Sequence, residues 1–150
     1  MATSAKRKRY IIDSSVIISY LMFDEKTNPE HLEIINLHTR HNNILFAPNL
    51  LLFEVGNSLR SGVLSKRITK KQAIMLFSKL SDLDISLSLP PHSSTLTLAI
   101  ENNLSFYDAS YLALAKQLKA PLLTLDKKLL ALIKIWQFRV PCYITLHYDQ

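Results

Sequence analysis

The chain predicts an α/β domain built on a mostly parallel sheet. Short apolar runs of β character at 9–12, 44–47 and 121–125 are each followed by a stretch whose apolar residues recur at helical spacing. Strands that alternate with helices pair in parallel, with helices covering both faces of the sheet. At 150 residues the chain fits one domain, long enough to bury most of what its unfolded form exposes.

The first run, Arg9-Tyr-Ile-Ile12, ends at Asp13, after which Val16, Ile17, Tyr20 and Leu21 take up helical spacing. Pro29 suits the first turn of a second helix to about His41, with Leu32, Ile34 and Ile35 turned inward and Asn42-Asn43 as its stop. Ile44 to Ala47 reads as a second strand, and Pro48-Asn49 opens a helix to about Ser61, ended by Gly62. Thr69 is a good N-cap for the next helix, through about Leu83, with Ala73, Leu76, Phe77 and Leu80 as its buried stripe. Ile85 to Leu89 alternates like a strand closed by Pro90-Pro91. A helix from Ser93 or Ser94 reaches Asn102-Asn103, and another runs past Asp108 to about Lys119. Pro121 to Leu125 is then a buried strand ending at Asp126, Lys127 to Ile133 is helical, and Val140 to Leu146 is a last strand.

Hydrophobic content of 48 % with two glycines excludes disordered and collagen-like chains. The single cysteine, Cys142, cannot close an intrachain disulfide, which suits a reducing, cytoplasmic setting. No stretch approaches the ~18 apolar residues of a membrane span, and Asp13 with two serines interrupts the only segment resembling a signal peptide. The net charge of +6 is concentrated at the start: of 18 basic residues, Lys6, Arg7, Lys8 and Arg9 stand in a basic tail over 1–9, leaving 14 against 12 acids. The domain over 10–150 is therefore nearly neutral. A second basic cluster, Arg60, Lys66, Arg67, Lys70 and Lys71, marks an exposed helix–helix turn.

Four acids stand out. Asp13 and Asp126 each follow an apolar strand and precede a helix, so they either cap those helices or point into the crevice at the carboxyl ends of the strands. Asp108 shares a helix face with Leu104, Tyr111, Leu112 and Ala115, where the alternative to a functional role is again an N-cap. Glu54 lies with Leu50, Leu51, Val55 and Ser58 inside a helix, where no cap explains it and an unpartnered charge is costly. One divalent cation bound by Asp13, Glu54, Asp108 and Asp126 answers for all four, because hard ions prefer carboxylate oxygens and clustered charges repel without them. Such an ion points to hydrolysis of a phosphodiester.

The segments Ile11-Ile-Asp-Ser-Ser-Val-Ile-Ile18, Leu52-Phe-Glu-Val-Gly-Asn-Ser-Leu59, Tyr107-Asp-Ala-Ser-Tyr-Leu-Ala-Leu-Ala115 and Leu123-Thr-Leu-Asp-Lys-Lys-Leu129 resemble, in content and order, those of PIN-domain proteins, and most of all VapC-type toxin ribonucleases. The resemblance runs from about Tyr10 to Ile144. It implies a three-layer PIN fold, Mg²⁺- or Mn²⁺-dependent endonucleolytic cleavage of RNA, a homodimer and a small antitoxin partner. Carried over by position, Asp13, Glu54, Asp108 and Asp126 become the metal ligands and catalytic acids, with Ser15 and Thr124 as supporting polar residues. Asn57 matches a polar position of unassigned role. Many relatives carry a further acid where this chain has Lys128, which argues for one well-held ion; Lys127 or Lys128 would instead meet an RNA phosphate or face solvent.

The five histidines form no ligand pair and read as surface residues, and no glycine-rich phosphate loop or nucleophile elbow is present. Phe46, Phe53, Phe77 and Trp136 fall within apolar runs and read as core or interface residues. The competing function is a non-catalytic PIN module that binds RNA or a protein, its carboxylates merely capping helices. A phosphatase with a strand-end Asp nucleophile fares worse, since the haloacid-dehalogenase pattern needs a second Asp where Ser15 stands.

Overall fold

A computed structural model describes residues 6–139. Chain order is β1 (Lys8–Ile12), α1 (Ser14–Leu21), α2 (Pro29–Thr39), β2 (Asn43–Pro48), α3 (Leu51–Leu64), α4 (Lys70–Asp82), β3 (Ser86–Ser88), α5 (His92–Glu101), α6 (Phe106–Leu118), β4 (Leu122–Leu123) and α7 (Lys127–Arg139). The proposed last strand, Val140 to Leu146, and Cys142 lie outside the described residues.

Local chemistry sets the boundaries. Asn28 accepts from the Glu30 amide at the start of α2, with Pro29 in the first helical position. Thr69 and Gln72 form a reciprocal capping box on α4. Lys119 ends α6 in the left-handed conformation, its φ at 49°.

Among the described residues the four strands are all parallel, in the order β3-β2-β1-β4. β1 is central, pairing Ile11 with both Phe46 and Leu122, and Ile11 and Ile12 are buried on opposite faces of the sheet. Helices α1, α3 and α4 pack on one another, as do α5 and α6, while α6 also lies against β1, β2 and β4 and α2 against β2. The result is a three-layer α/β fold. From β1 the chain builds outward through β2 and β3, then returns to add β4 on the other side. The carboxyl ends of β1 and β4 therefore flank the topological switch point, where open α/β sheets place their crevice.

Several expectations are corrected by packing. Gly62 lies inside α3 instead of ending it, because the Ile68 side chain closes on its backbone; an added Cβ would sit 3.2 Å from Ile68 Cγ1. Gly62→Val is thus expected to cost about 2 kcal/mol by overpacking, readable as a lowered urea midpoint with unchanged m-value. His31 and His38 are buried, not at the surface. His38 bridges two elements: its Nε2 donates to the Leu83 carbonyl at 2.7 Å while its Nδ1 accepts from the Leu45 amide. Leu32 and Phe77 are partly exposed and Phe53 strongly so, contrary to their apolar runs. Strands β3 and β4 are shorter than their apolar runs, since pairing with β2 and β1 covers only their central residues.

Candidate active site

Asp13 stands at the end of β1 and caps α1: its Oδ1 accepts from the Ser14 amide at 2.8 Å. Its Oδ2 accepts from the hydroxyls of Ser15 and Thr124, both at 2.7 Å. Those hydroxyls in turn accept from the end of β4, Ser15 Oγ from the Leu125 amide at 2.9 Å and Thr124 Oγ1 from the Asp126 amide at 3.0 Å. The two strand ends are thereby stitched together through one carboxylate that is only 5 % exposed. Capping and orientation toward the crevice are compatible at Asp13.

Glu54 lies in the first turn of α3, earlier in its helix than the sequence suggests. There the helix dipole favours its charge. Its Oε2 accepts from the phenolic hydroxyl of Tyr111, a side chain of α6 that is fully buried. Asp108, three residues before Tyr111, is not the cap of α6. Ser105 takes that place, its Oγ accepting from the Asp108 amide at 3.0 Å and donating to Asp108 Oδ2 at 2.7 Å. Tyr111 and Ser105 are the positioning residues that sequence reasoning missed. Tyr111 had shown its helical phase with Asp108, and Ser105 stands in the cap position three residues before an acid.

Asp126 behaves differently. Its Oδ1 accepts from the Leu129 amide at 2.9 Å, which caps α7. Lys128 donates to the Asn103 carbonyl at 3.1 Å, tying α7 to the loop before α6, while Lys127 is exposed. Asn57 is exposed on α3, one turn beyond Glu54, in a groove shared with Ile18, Met22, Ser58 and Ser61.

Burial pushes the Asp13 carboxyl above the ordinary range; the hydroxyls of Ser15 and Thr124 and the Ser14 amide oppose this, and the Asp108 charge adds to it. Burial likewise raises Glu54, opposed by the Tyr111 and Ser14 hydroxyls and reinforced by the charges of Asp13 and Asp108. Tyr111 is raised by burial and by Glu54, so it stays a hydroxyl donor. Asp13, Glu54 and Asp108 therefore form one interacting negative cluster, and the Coulombic influences that weigh most on Asp13 and Glu54 come from other carboxylates. That donor set, clustered carboxylate oxygens, fits a hard divalent cation in charge and chemistry. Among the described residues, no three His, Cys, Asp or Glu side chains close tightly enough to enclose an ion as they stand.

A parallel α/β sheet with carboxylates gathered at its switch point defines a class of domain, and comparison with known proteins gives it a family. The PIN domain profile matches residues 10–134, and the chain belongs to the PIN domain family, on its VapC-like branch. It is 42 % identical to the ribonuclease VapC1 of Mycobacterium tuberculosis over 103 residues, 67 % of this chain and 72 % of that protein. It is 33 % identical to the exonuclease VapC9 of Pyrobaculum aerophilum over 125 residues, 83 % of this chain and 86 % of that one. The crystal structure of PAE2754 from Pyrobaculum aerophilum is similar in fold, with a TM-score of 0.67 over 87 % of this chain and 83 % of that one, at 24 % identity.

Proposed function

We propose that this chain is a divalent-metal-dependent ribonuclease, acting as a VapC-like toxin held in check by a small antitoxin. The observation that carries the reading is the cluster at the switch point, where the charge of Asp108 raises the proton affinity of Asp13 and the charges of Asp13 and Asp108 raise that of Glu54. These three, with Asp126 as the outlying fourth, would hold Mg²⁺ or Mn²⁺. When bound, such an ion supplies Lewis acidity toward a phosphodiester and offsets the charge that builds on its oxygens.

The chain's own residues do the positioning. Ser15 and Thr124 fix the rotamer of Asp13 from the β4 side, Tyr111 holds Glu54 from α6, and Ser105 holds Asp108. The relatives' names divide between ribonuclease and exonuclease. Internal cutting is the reading adopted for this chain, following its resemblance to VapC-type ribonucleases. A circular single-stranded RNA incubated with protein and Mn²⁺ should be opened and then fragmented; a circle left intact while a linear RNA is trimmed would make the activity exonucleolytic.

Tyr111→Phe removes the hydroxyl that donates to Glu54, a hydrogen bond to a charged group. Because that bond lowers the Glu54 pKa, its loss raises it, and the acid limb of the pH–rate profile should move to higher pH. A stability loss of about 1–2 kcal/mol should accompany the shift. Unmoved acid limbs would show that Glu54 plays no part in cleavage.

The competing reading, a PIN module that binds without cutting, draws on the capping done by Asp13 and Asp126, which needs no ion. Mn²⁺ titration separates the two, since capping carboxylates bind none. Homodimer formation and the antitoxin are tested by sedimentation and by co-purification with the product of an adjoining short gene. No helix among the described residues is long and apolar enough to cross a membrane.

A further inference from the structure

We propose that the end of the sheet opposite the carboxylate cluster, where Lys6, Arg7 and Lys8 meet Arg40 and Lys119, grips the phosphate backbone of RNA several nucleotides away from the scissile bond. The inference rests on the ribonuclease reading above and adds to it a second contact with the same strand, one that needs no metal.

The fold, and not the basic tail alone, gathers these charges. Lys8 opens β1 and pairs with Asn43 at the start of β2. Arg40 caps the end of α2 just before that strand, and His41, next to it, lines the same hollow as Arg7. On the other flank of β1 the Ile11 amide donates to the Pro121 carbonyl at 2.7 Å, and α6 ends at Lys119 immediately ahead of that point. Lys6, Arg7, Lys8, Arg40 and Lys119 are all exposed. Asp84 is the one acid lining the hollow. The ion pairs of the described residues lie elsewhere, between Arg67 and the acids Asp24 and Glu25.

Part of this charge has a structural use. Arg40 and Lys119 stand at helix C-termini, where a cation offsets the helix dipole. Lys6, Arg7 and Lys8 lead into a strand, so no helix end accounts for them. Adjacent like charges repel, and a polyanion relieves that repulsion. The basic end and the carboxylate cluster lie at opposite ends of β1, because Lys8 begins the strand and Asp13 follows it. At about 3.3 Å per residue the two are roughly 17 Å apart. A helical nucleic-acid strand, advancing about 3.4 Å per nucleotide, covers that distance in about five nucleotides. The carboxylates repel the backbone beside the cut while the basic end attracts it further along, so affinity grows with RNA length and falls with salt.

The test uses the full chain in EDTA, which keeps metal from the cluster, and follows by anisotropy one RNA of about 25 nucleotides and one of about five, centred on the cut and too short to reach the basic end. Lys6→Gln, Arg7→Gln and Lys8→Gln combined should lower the slope of log K against log salt for the long strand by about 2, the loss of three phosphate contacts, and weaken its binding more than about tenfold at low salt. Arg40→Gln alone should remove about one contact, which a grip by the tail alone would not show. With Mn²⁺, cleavage of the long RNA by the triple variant should show the loss in KM with kcat nearly unchanged, and cleavage of the short one should be unaltered. An unchanged slope, an equal loss on the short strand, or no loss from Arg40→Gln would overturn the assignment. So would phosphatidylglycerol vesicles that bind through these residues while RNA does not. If wild type holds the long RNA through them yet never cuts it with Mn²⁺, the ribonuclease reading falls and the grip stands. If wild type cuts and the triple variant keeps the wild-type KM at low salt, the grip alone falls.

Discussion

Asp13→Asn is expected to lower RNA cleavage by more than about a hundredfold, beyond the cost of losing a residue that merely orients a metal ligand, while leaving the protein folded. The two effects separate because the residue has two roles. Asn caps a helix as well as Asp does, so the bond from the Ser14 amide survives on the side-chain oxygen. Its amide nitrogen would face the hydroxyls of Ser15 and Thr124, which can rotate to accept in place of donating. The charge is what disappears. A carboxylate that is 5 % exposed and already lifted by burial and by Asp108 costs folding energy at neutral pH, so its removal offsets much of the disturbed hydrogen bonding. The melting temperature should therefore change little or rise, measured on the same preparation as the cleavage rate. Cleavage within about tenfold of wild type would show that Asp13 is only a cap, since general acid–base or ligand roles contribute more than that. Asp126→Asn makes the instructive contrast: its carboxylate caps α7, a role that Asn can take over, so it should give the smallest loss among the four acids.

The sequence revealed most where a residue's role is local. Strand-to-helix handovers at Asp13 and Asp126, the Thr69 cap and the parallel alternation are all written within a few residues, and the structure has each of them. The gathering of Asp13, Glu54 and Asp108 could be argued only through the cost of a charge on an apolar stripe and through family resemblance, because no spacing rule links positions so far apart. What stayed hidden depends on neighbours from elsewhere in the chain. Gly62 looked like a helix stop, but it is where Ile68 comes close. His38 looked like a surface residue, but it binds both the Leu45 amide and the carbonyl of Leu83, 45 residues further along the chain. Phe53 has the hydrophobicity of a core residue yet is exposed; only the phase of α3 against its neighbours decides this, and the phase is fixed by the buried Leu51, Val55 and Leu59.

Divalent ions and acid should stabilise the protein by the same route and therefore compete. Asp13 and Glu54 have folded-state proton affinities above their ordinary values of 3.8 and 4.5. The folded state then binds more protons than the unfolded chain, so without metal the melting temperature should rise as pH falls through the raised values toward those ordinary ones. Asp24 works in the opposite direction, since Arg67 holds its carboxyl below the usual range, but the stability it contributes is lost only below 3.8, outside that window. At neutral pH, Mn²⁺ at a hundred times its dissociation constant should add about 2.7 kcal/mol, or roughly 5–10 °C in a domain of this size. Because ligands must be deprotonated to bind, that gain should shrink as pH is lowered through the same window, and the two melting curves should converge. Asp13→Asn should flatten both responses, the acid stabilisation in part and the metal shift almost wholly. A metal-free protein whose melting temperature only falls on mild acidification, together with no shift from Mn²⁺ at neutral pH, would mean that the carboxylates are satisfied by their hydroxyl partners and that the switch-point crevice is not a metal centre.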